Sequence, residues 1–139
     1  SNTGGAVLKQ YFSPEDLVSL SAAMQADTDT GLNYYPLPST GERFPVNDPS
    51  MQPKLSPAVE DPVMFLQGLL EGIARIEKTG YDLLETLGAD GVSSICSAGG
   101  GAANRTWTAI RERIVGRPMQ AGLHEEAAYG TARLAAGLI

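Results

Sequence analysis

Scarcity narrows this sequence first. Its 139 residues contain one cysteine and one histidine. A lone cysteine, Cys96, excludes an internal disulfide and suits a reducing compartment. It lies in an apolar run, where a buried, inert thiol is expected. The lone histidine, His124, opens the last predicted helix and reads as a cap or surface residue rather than a base. Positive charge is also scarce. Ten Lys and Arg stand against sixteen Asp and Glu, for a net charge of −6. That balance argues against a nucleic-acid backbone or an anionic membrane as partner. The one local concentration of cations, Arg105, Arg111, Arg113 and Arg117, is expected to be the solvated face of a helix. No apolar run approaches a membrane span, and no repeat or low-complexity tract occurs.

The length suits one domain with a real core. Its opening, Ser1-Asn2-Thr3-Gly4-Gly5, reads as a loop entering a helix with no element before it, so a piece of a longer protein is expected. A short helix is predicted from Gly5 to Phe12. Ser13-Pro14-Glu15-Asp16 then starts another, with Ser13 as N-cap, Pro14 at the first helical position and Asp16 completing a capping box. Leu17, Leu20, Ala23 and Met24 form its predicted apolar face. Prolines dominate residues 27–61 and forbid a long regular element, although an extended piece is expected around Leu32–Pro36. Tyr34, Tyr35 and Phe44 in that stretch, with Phe65 beyond it, argue for packing rather than disorder.

Asp61-Pro62 opens the strongest helix. Val63, Leu66, Leu69, Leu70, Ile73 and Ile76 make a wide stripe, continued by Leu83, Leu84 and Leu87 up to Gly88. Gly68 and Gly72 leave a notch suited to another helix. A buried strand is predicted over Val92–Ser97, then a helix from about Ala102 to Val115 stopped by Gly116 and Pro118. A short extended Met119-Gln120 and a last helix from about His124 to Leu138 complete the chain. This order reads as part of an α/β layer structure.

The most informative stretch is the junction of that strand with its helix, at Gly99-Gly100-Gly101. Glycines let a backbone approach a ligand closely, and a helix N-terminus offers unpaired N–H groups. The stretch is neither a Walker loop nor a dinucleotide fingerprint, and a plain strand-to-helix turn is the simpler alternative.

Taken in order, Gly41-Glu42-Arg43 with Pro45 and Asp48-Pro49, Leu70-Glu71-Gly72, Gly99-Gly100-Gly101-Ala102 with Trp107, and Glu126-Ala127-Ala128 with Gly130-Thr131-Ala132 resemble the FGGY carbohydrate kinases. The resemblance implies an α/β fold: a helix-rich part of an actin/hexokinase-like (ribonuclease H-like) ATPase domain, lacking its opening strands. Residues 1–139 would be a partial C-terminal domain, with 27–61 an irregular segment and 62–139 the adenosine-binding part. The opening Ser1 to Lys9 looks closest to the ribulose kinase or xylulose-kinase-like branch of cyanobacteria and plants.

By that resemblance, Gly100 contacts the nucleotide through its backbone, flanked by Gly99 and Gly101. Asn104 lies near the adenine, Gly5 is a nucleotide-contacting glycine, and Lys9 is either a phosphate contact or a surface residue. Trp107 is expected to face inward. Glu42 and Arg43 either orient a closing domain or form a structural ion pair. ATP and Mg²⁺ are the implied cofactors, with ATP or ADP and a sugar as partners. The family's general base and phosphate loop match nothing here, so no catalytic residue is expected on this chain. D-ribulose is the implied substrate; D-xylulose, another sugar or polyol, and a non-catalytic actin-like module are the alternatives. The cytoplasm, or the plastid stroma in a plant, is the expected location. An incomplete sheet would leave strand edges open to self-association as a homo-oligomer.

Overall fold

The structure, a computed structural model, describes residues 1–122 and 127–137. Its elements run α1 Gly5–Leu8, α2 Pro14–Ala23, α3 Pro62–Thr86, β1 Ile95–Ser97, α4 Arg105–Val115, β2 Met119–Ala121 and α5 Ala127–Ala135. The predicted start of the last helix, with His124, Glu125 and Glu126, and its last residue Leu138 lie outside the described residues. Among the described residues no helix is long and apolar enough to cross a membrane.

Local chemistry sets the helix ends. Ser13 Oγ accepts from the Asp16 N–H at 3.1 Å, and the Asp16 carboxylate accepts from the Ser13 N–H at 3.0 Å. This reciprocal box fixes the start of α2. These bonds to Ser13, backbone first, hold the Asp16 carboxyl below its ordinary pKa. Asp61 caps α3 by accepting from the Val63 N–H at 2.9 Å, and Pro62 occupies the first helical position. At the far end of α4, Gly116 takes a left-handed conformation (φ 72°) and donates to the Glu112 carbonyl, closing the helix.

α3 is the central element. From Leu66 to Ala74 every residue is buried, so the helix is wrapped on all sides. Leu66 and Leu69 are fully buried, each contributing roughly 1.5–3 kcal/mol through burial. Towards its end the stripe fades. Leu84 is exposed and Leu87 is 72% exposed. On α2, Ala23 is exposed and Ser21 buried. The inward face is therefore Leu17, Leu20, Ser21 and Met24, the i, i+3, i+4, i+7 spacing of one helix side.

The proline-rich segment is ordered against α3. Leu32, Tyr34, Pro36 and Leu37 are buried, and Tyr35 bridges antiparallel to Lys54. The Gly68/Gly72 notch takes this segment, not another helix. A Cβ on Gly68 would lie 2.7 Å from Leu32, and one on Gly72 would lie 2.7 Å from the Tyr34 carbonyl oxygen. Glycine is what lets the chain pass.

Buried polar groups fasten the same junction. Glu71, fully buried, accepts from Arg113 at 2.7 Å and from the Thr30 hydroxyl at 2.5 Å. Gln67 accepts from the Gln25 N–H at 3.1 Å and donates to the Thr28 carbonyl at 2.7 Å. Such groups are tolerated because each is satisfied.

The expected solvated arginine face is instead largely a set of ties to α3. Arg111 meets Glu77 through two hydrogen bonds, with Nε to Oε2 at 2.8 Å. Arg113 meets Glu71, and Arg117 meets Glu85. Only Arg105 keeps to the expectation, exposed and without an ion pair among the described residues. Bidentate carboxylate pairing suits the guanidinium fork, so these cations join helices rather than face water.

β1 and β2 pair in parallel, Ile95 opposite Met119 and Ser97 opposite Ala121, with α4 as their connection. The strand is shorter than predicted. Ile95 is buried while Cys96 is exposed, since alternate residues of a strand face opposite sides. The expected buried thiol is thus a surface one.

Candidate functional site

A cleft of about 810 Å³ opens where α1, α2, α3 and the start of α4 meet. Its size falls in the roughly 300–1,000 Å³ range of small-molecule sites. One wall carries Gly4, Gly5 and Lys9, and another runs from Gly100 to Trp107; Leu66, Leu70 and Ile73 of α3 lie between them. Gly5, Lys9, Gly100, Gly101 and Asn104, picked from two stretches of sequence about a hundred residues apart, therefore share one cavity. Gly99 is not on its lining; it turns the chain just before, at φ 84°. A Cβ added at Gly5 or Gly100 would meet no protein atom within 4 Å. Folding does not require glycine at either position.

Asn104 caps α4. Its Oδ1 accepts from the Trp107 N–H at 3.0 Å, and its Nδ2 donates to Ser21 Oγ at 2.8 Å. The cap engages one lone pair of the amide's oxygen, and the Ser21 bond leaves one N–H of the amide as a further donor. Trp107 is half-buried, packing on the core while also lining the cavity. The Arg111 guanidinium lies 5.5 Å from its ring centroid, within cation–π range. Hydrogen bonds to Glu77, opposed by desolvation, raise the Arg111 pKa above its ordinary value.

Sequence reasoning missed Ser21, Val18 and Leu17 as cavity residues. The available signal was the serine itself, set on the apolar side of α2. Val18 is 75% exposed yet lines the cleft, an apolar surface that a ligand would cover.

Charge at the cleft is all positive. Lys9 and Arg105 line it, and neither has an ion-pair partner among the described residues. Among the described residues no carboxylate lies on the lining, and no cluster of His, Cys, Asp or Glu could hold a metal ion. The two cations on the lining suit an anionic organic ligand.

Glu42 and Arg43 do not pair with each other. Glu42 is 1% exposed and accepts from Ser1, the Asn2 N–H, the Arg43 N–H and Tyr35, while Arg43 Nε donates to Asn2 at 2.8 Å. Burial penalises the Glu42 charge, but these hydrogen bonds outweigh it and lower its pKa. The Tyr35 hydroxyl, half-buried and donating to that carboxylate, is pushed up to about 12 by desolvation and by that bond. This carboxylate holds the opening residues to the loop.

Helices with a small two-stranded parallel sheet, and a cleft walled in part by glycines, make this an α/β domain. Residues 2–138 match the family model of the C-terminal domain of the FGGY family of carbohydrate kinases, and the chain belongs to that family. That domain has an actin/hexokinase-like ATPase fold, and its family comprises ATP-dependent sugar kinases that use ATP and Mg²⁺.

Proposed function

We propose that the chain is the nucleotide-binding lobe of an ATP-dependent ketose kinase and that ATP enters the cleft between α1 and α4. The observation that carries this reading is the pairing of two uncommitted cations with glycines that face open space. The base lies between the apolar side chains of α2 and α3 and the Gly100–Gly101 backbone, with Asn104 at its edge. The phosphates run toward Lys9 and Arg105. With no carboxylate on the lining, the Mg²⁺ that accompanies the nucleotide takes its protein ligands from elsewhere in the enzyme. Phosphoryl transfer rests on positioning and charge neutralisation, and this lobe supplies part of the first. The general base and sugar pocket belong to the kinase's other domain, so this chain alone does not phosphorylate sugar. Its location is the cytoplasm, or the stroma in a plant.

The substrate of the intact kinase is a pentulose, D-ribulose first. The opening Ser1 to Lys9 supports that branch through resemblance alone. A site that hydrogen-bonds every hydroxyl of one epimer leaves polar groups unpaired with another. Two assays test the reading. Calorimetric titration of the chain with ATP is expected to give saturable binding, and its absence would sink the nucleotide assignment. Comparing kcat/KM for D-ribulose, D-xylulose, L-ribulose, sedoheptulose and glycerol in the intact kinase tests the branch. A tenfold lead for glycerol or the heptulose would overturn it.

A further inference from the structure

Of the six Ser and Thr side chains in helices α2, α3 and α4, Ser21 and Thr106 make no back-bond to their own helix, and of these two only Ser21 is buried. Ser19, Thr79, Thr86 and Thr108 each donate back to a carbonyl of the preceding turn, at 2.9–3.1 Å, the ordinary outlet for a helical hydroxyl. Ser21 does not. It is 7% exposed, lines the cleft, and has a single partner, the Asn104 amide nitrogen at 2.8 Å. The direction of that bond is fixed. Asn104 Oδ1 is engaged as the cap of α4, so its Nδ2 is the donor and Ser21 Oγ the acceptor. The hydroxyl proton of Ser21 therefore has no acceptor among the described residues. The hydroxyl lies on the cleft wall, where a ligand that displaces water without accepting this proton would leave it unmade, at a cost, and among the described residues no carboxylate lies on the lining.

We propose that Ser21 is a specificity-determining residue of the cleft, donating its hydroxyl proton to a ring-nitrogen acceptor of the bound purine. This rests on the nucleotide reading above. Asn104 orients the hydroxyl by occupying one of its lone pairs, and Leu17, Leu66 and Leu70 provide the apolar walls that a flat base needs. The pair thus offers two donors, the Ser21 O–H and the second Asn104 N–H. A purine ring nitrogen is an acceptor that matches the Ser21 O–H.

The test is a double-mutant cycle between protein and ligand. The unmodified chain, Ser21→Ala and Ser21→Thr are titrated with ATP and with its 1-deaza, 3-deaza and 7-deaza analogues. Folding of each variant is checked by circular dichroism. In the unmodified chain one deaza analogue is expected to bind roughly two- to tenfold more weakly than ATP. In Ser21→Ala that difference disappears, and Ser21→Thr, which keeps the hydroxyl, restores it. Equal affinity of all three analogues and ATP for the unmodified chain overturns the proposal, whatever the variants do. So does a loss that persists unchanged in Ser21→Ala. Both of those results leave ATP binding itself intact, whereas failure of the unmodified chain to bind ATP overturns the nucleotide reading and this inference with it.

Discussion

Along α3, Gly68, Gly72 and Gly80 each lie where a Cβ would come within 3 Å of a neighbouring atom; across the cleft, Gly5 and Gly100 face open space. The cations divide the same way. Arg111, Arg113 and Arg117 are held by Glu77, Glu71 and Glu85, while Lys9 and Arg105 have no ion-pair partner among the described residues. The α3 junction is explained by packing and charge satisfaction alone. The cleft is not. Residue types that folding uses in one place are left idle in the other, and the nucleotide proposal rests on that contrast within one shared cavity.

The sharpest break of the comparison is at Glu71. Glu71→Ala leaves Arg113 and Thr30 without their buried acceptor, and removal of one partner of a buried pair costs about 3–5 kcal/mol. Urea unfolding should show a loss of this size. A loss under about 1 kcal/mol, the scale of an exposed pair, would mean the junction is not the anchor.

A matched pair of substitutions sharpens the contrast further. Gly72→Val drives a side chain into the Tyr34 carbonyl and the Pro36 ring, and overpacking of this kind costs about 3 kcal/mol. At Gly100→Val the added Cβ meets no protein atom within 4 Å, so stability should stay within about 0.5 kcal/mol. Its side chain instead fills cleft volume, and ATP affinity should fall by tenfold or more, about 1.4 kcal/mol. The two regions are not distinct in the way argued if both variants lose stability equally.

Much of this was legible in the sequence, and the reasons for the rest are physical. The capping box at Ser13, the start of α3 at Pro62 and the stop at Gly116 depend on neighbours within a few residues, so local chemistry revealed them. Gly100 and Gly101 stood out as a glycine run between a predicted strand and helix, whereas Gly5, Lys9 and Asn104 came from a resemblance. Fates decided by tertiary partners were misread. Periodicity cannot say that a proline-rich loop, not a helix, fills the Gly68/Gly72 notch. Nor can composition say that Glu77, thirty-four residues earlier, captures Arg111. Ser21 was visible as a polar residue at an apolar spacing, but Ala23 looked the better core residue until Asn104 was placed beside it.

Smaller effects are expected at the cleft's cations. Lys9→Ala and Arg105→Ala should each weaken ATP by about two- to fivefold, less at high salt, while adenosine binding stays unchanged. Equal losses for adenosine and ATP would remove these residues from the phosphate end.

The smallest is a pH effect at Glu42. Its folded pKa is lowered from 4.5, so its stabilisation is complete above about that pH and is lost as pH falls through the folded value. Glu42→Gln should unfold at lower urea than the unmodified chain at neutral pH. The gap should shrink as pH drops below 4.5. A constant gap down through the acid range would show that the carboxylate's charge does not matter there.

The central claim is that the cleft takes a nucleotide, and Trp107, the sole tryptophan, lies on its wall. Titrating the chain with ATP while following Trp107 fluorescence tests this most directly. The account predicts a saturable change whose midpoint moves to roughly tenfold higher ATP or beyond in Gly100→Val. No change in the unmodified chain, or an unmoved midpoint in Gly100→Val, would contradict it.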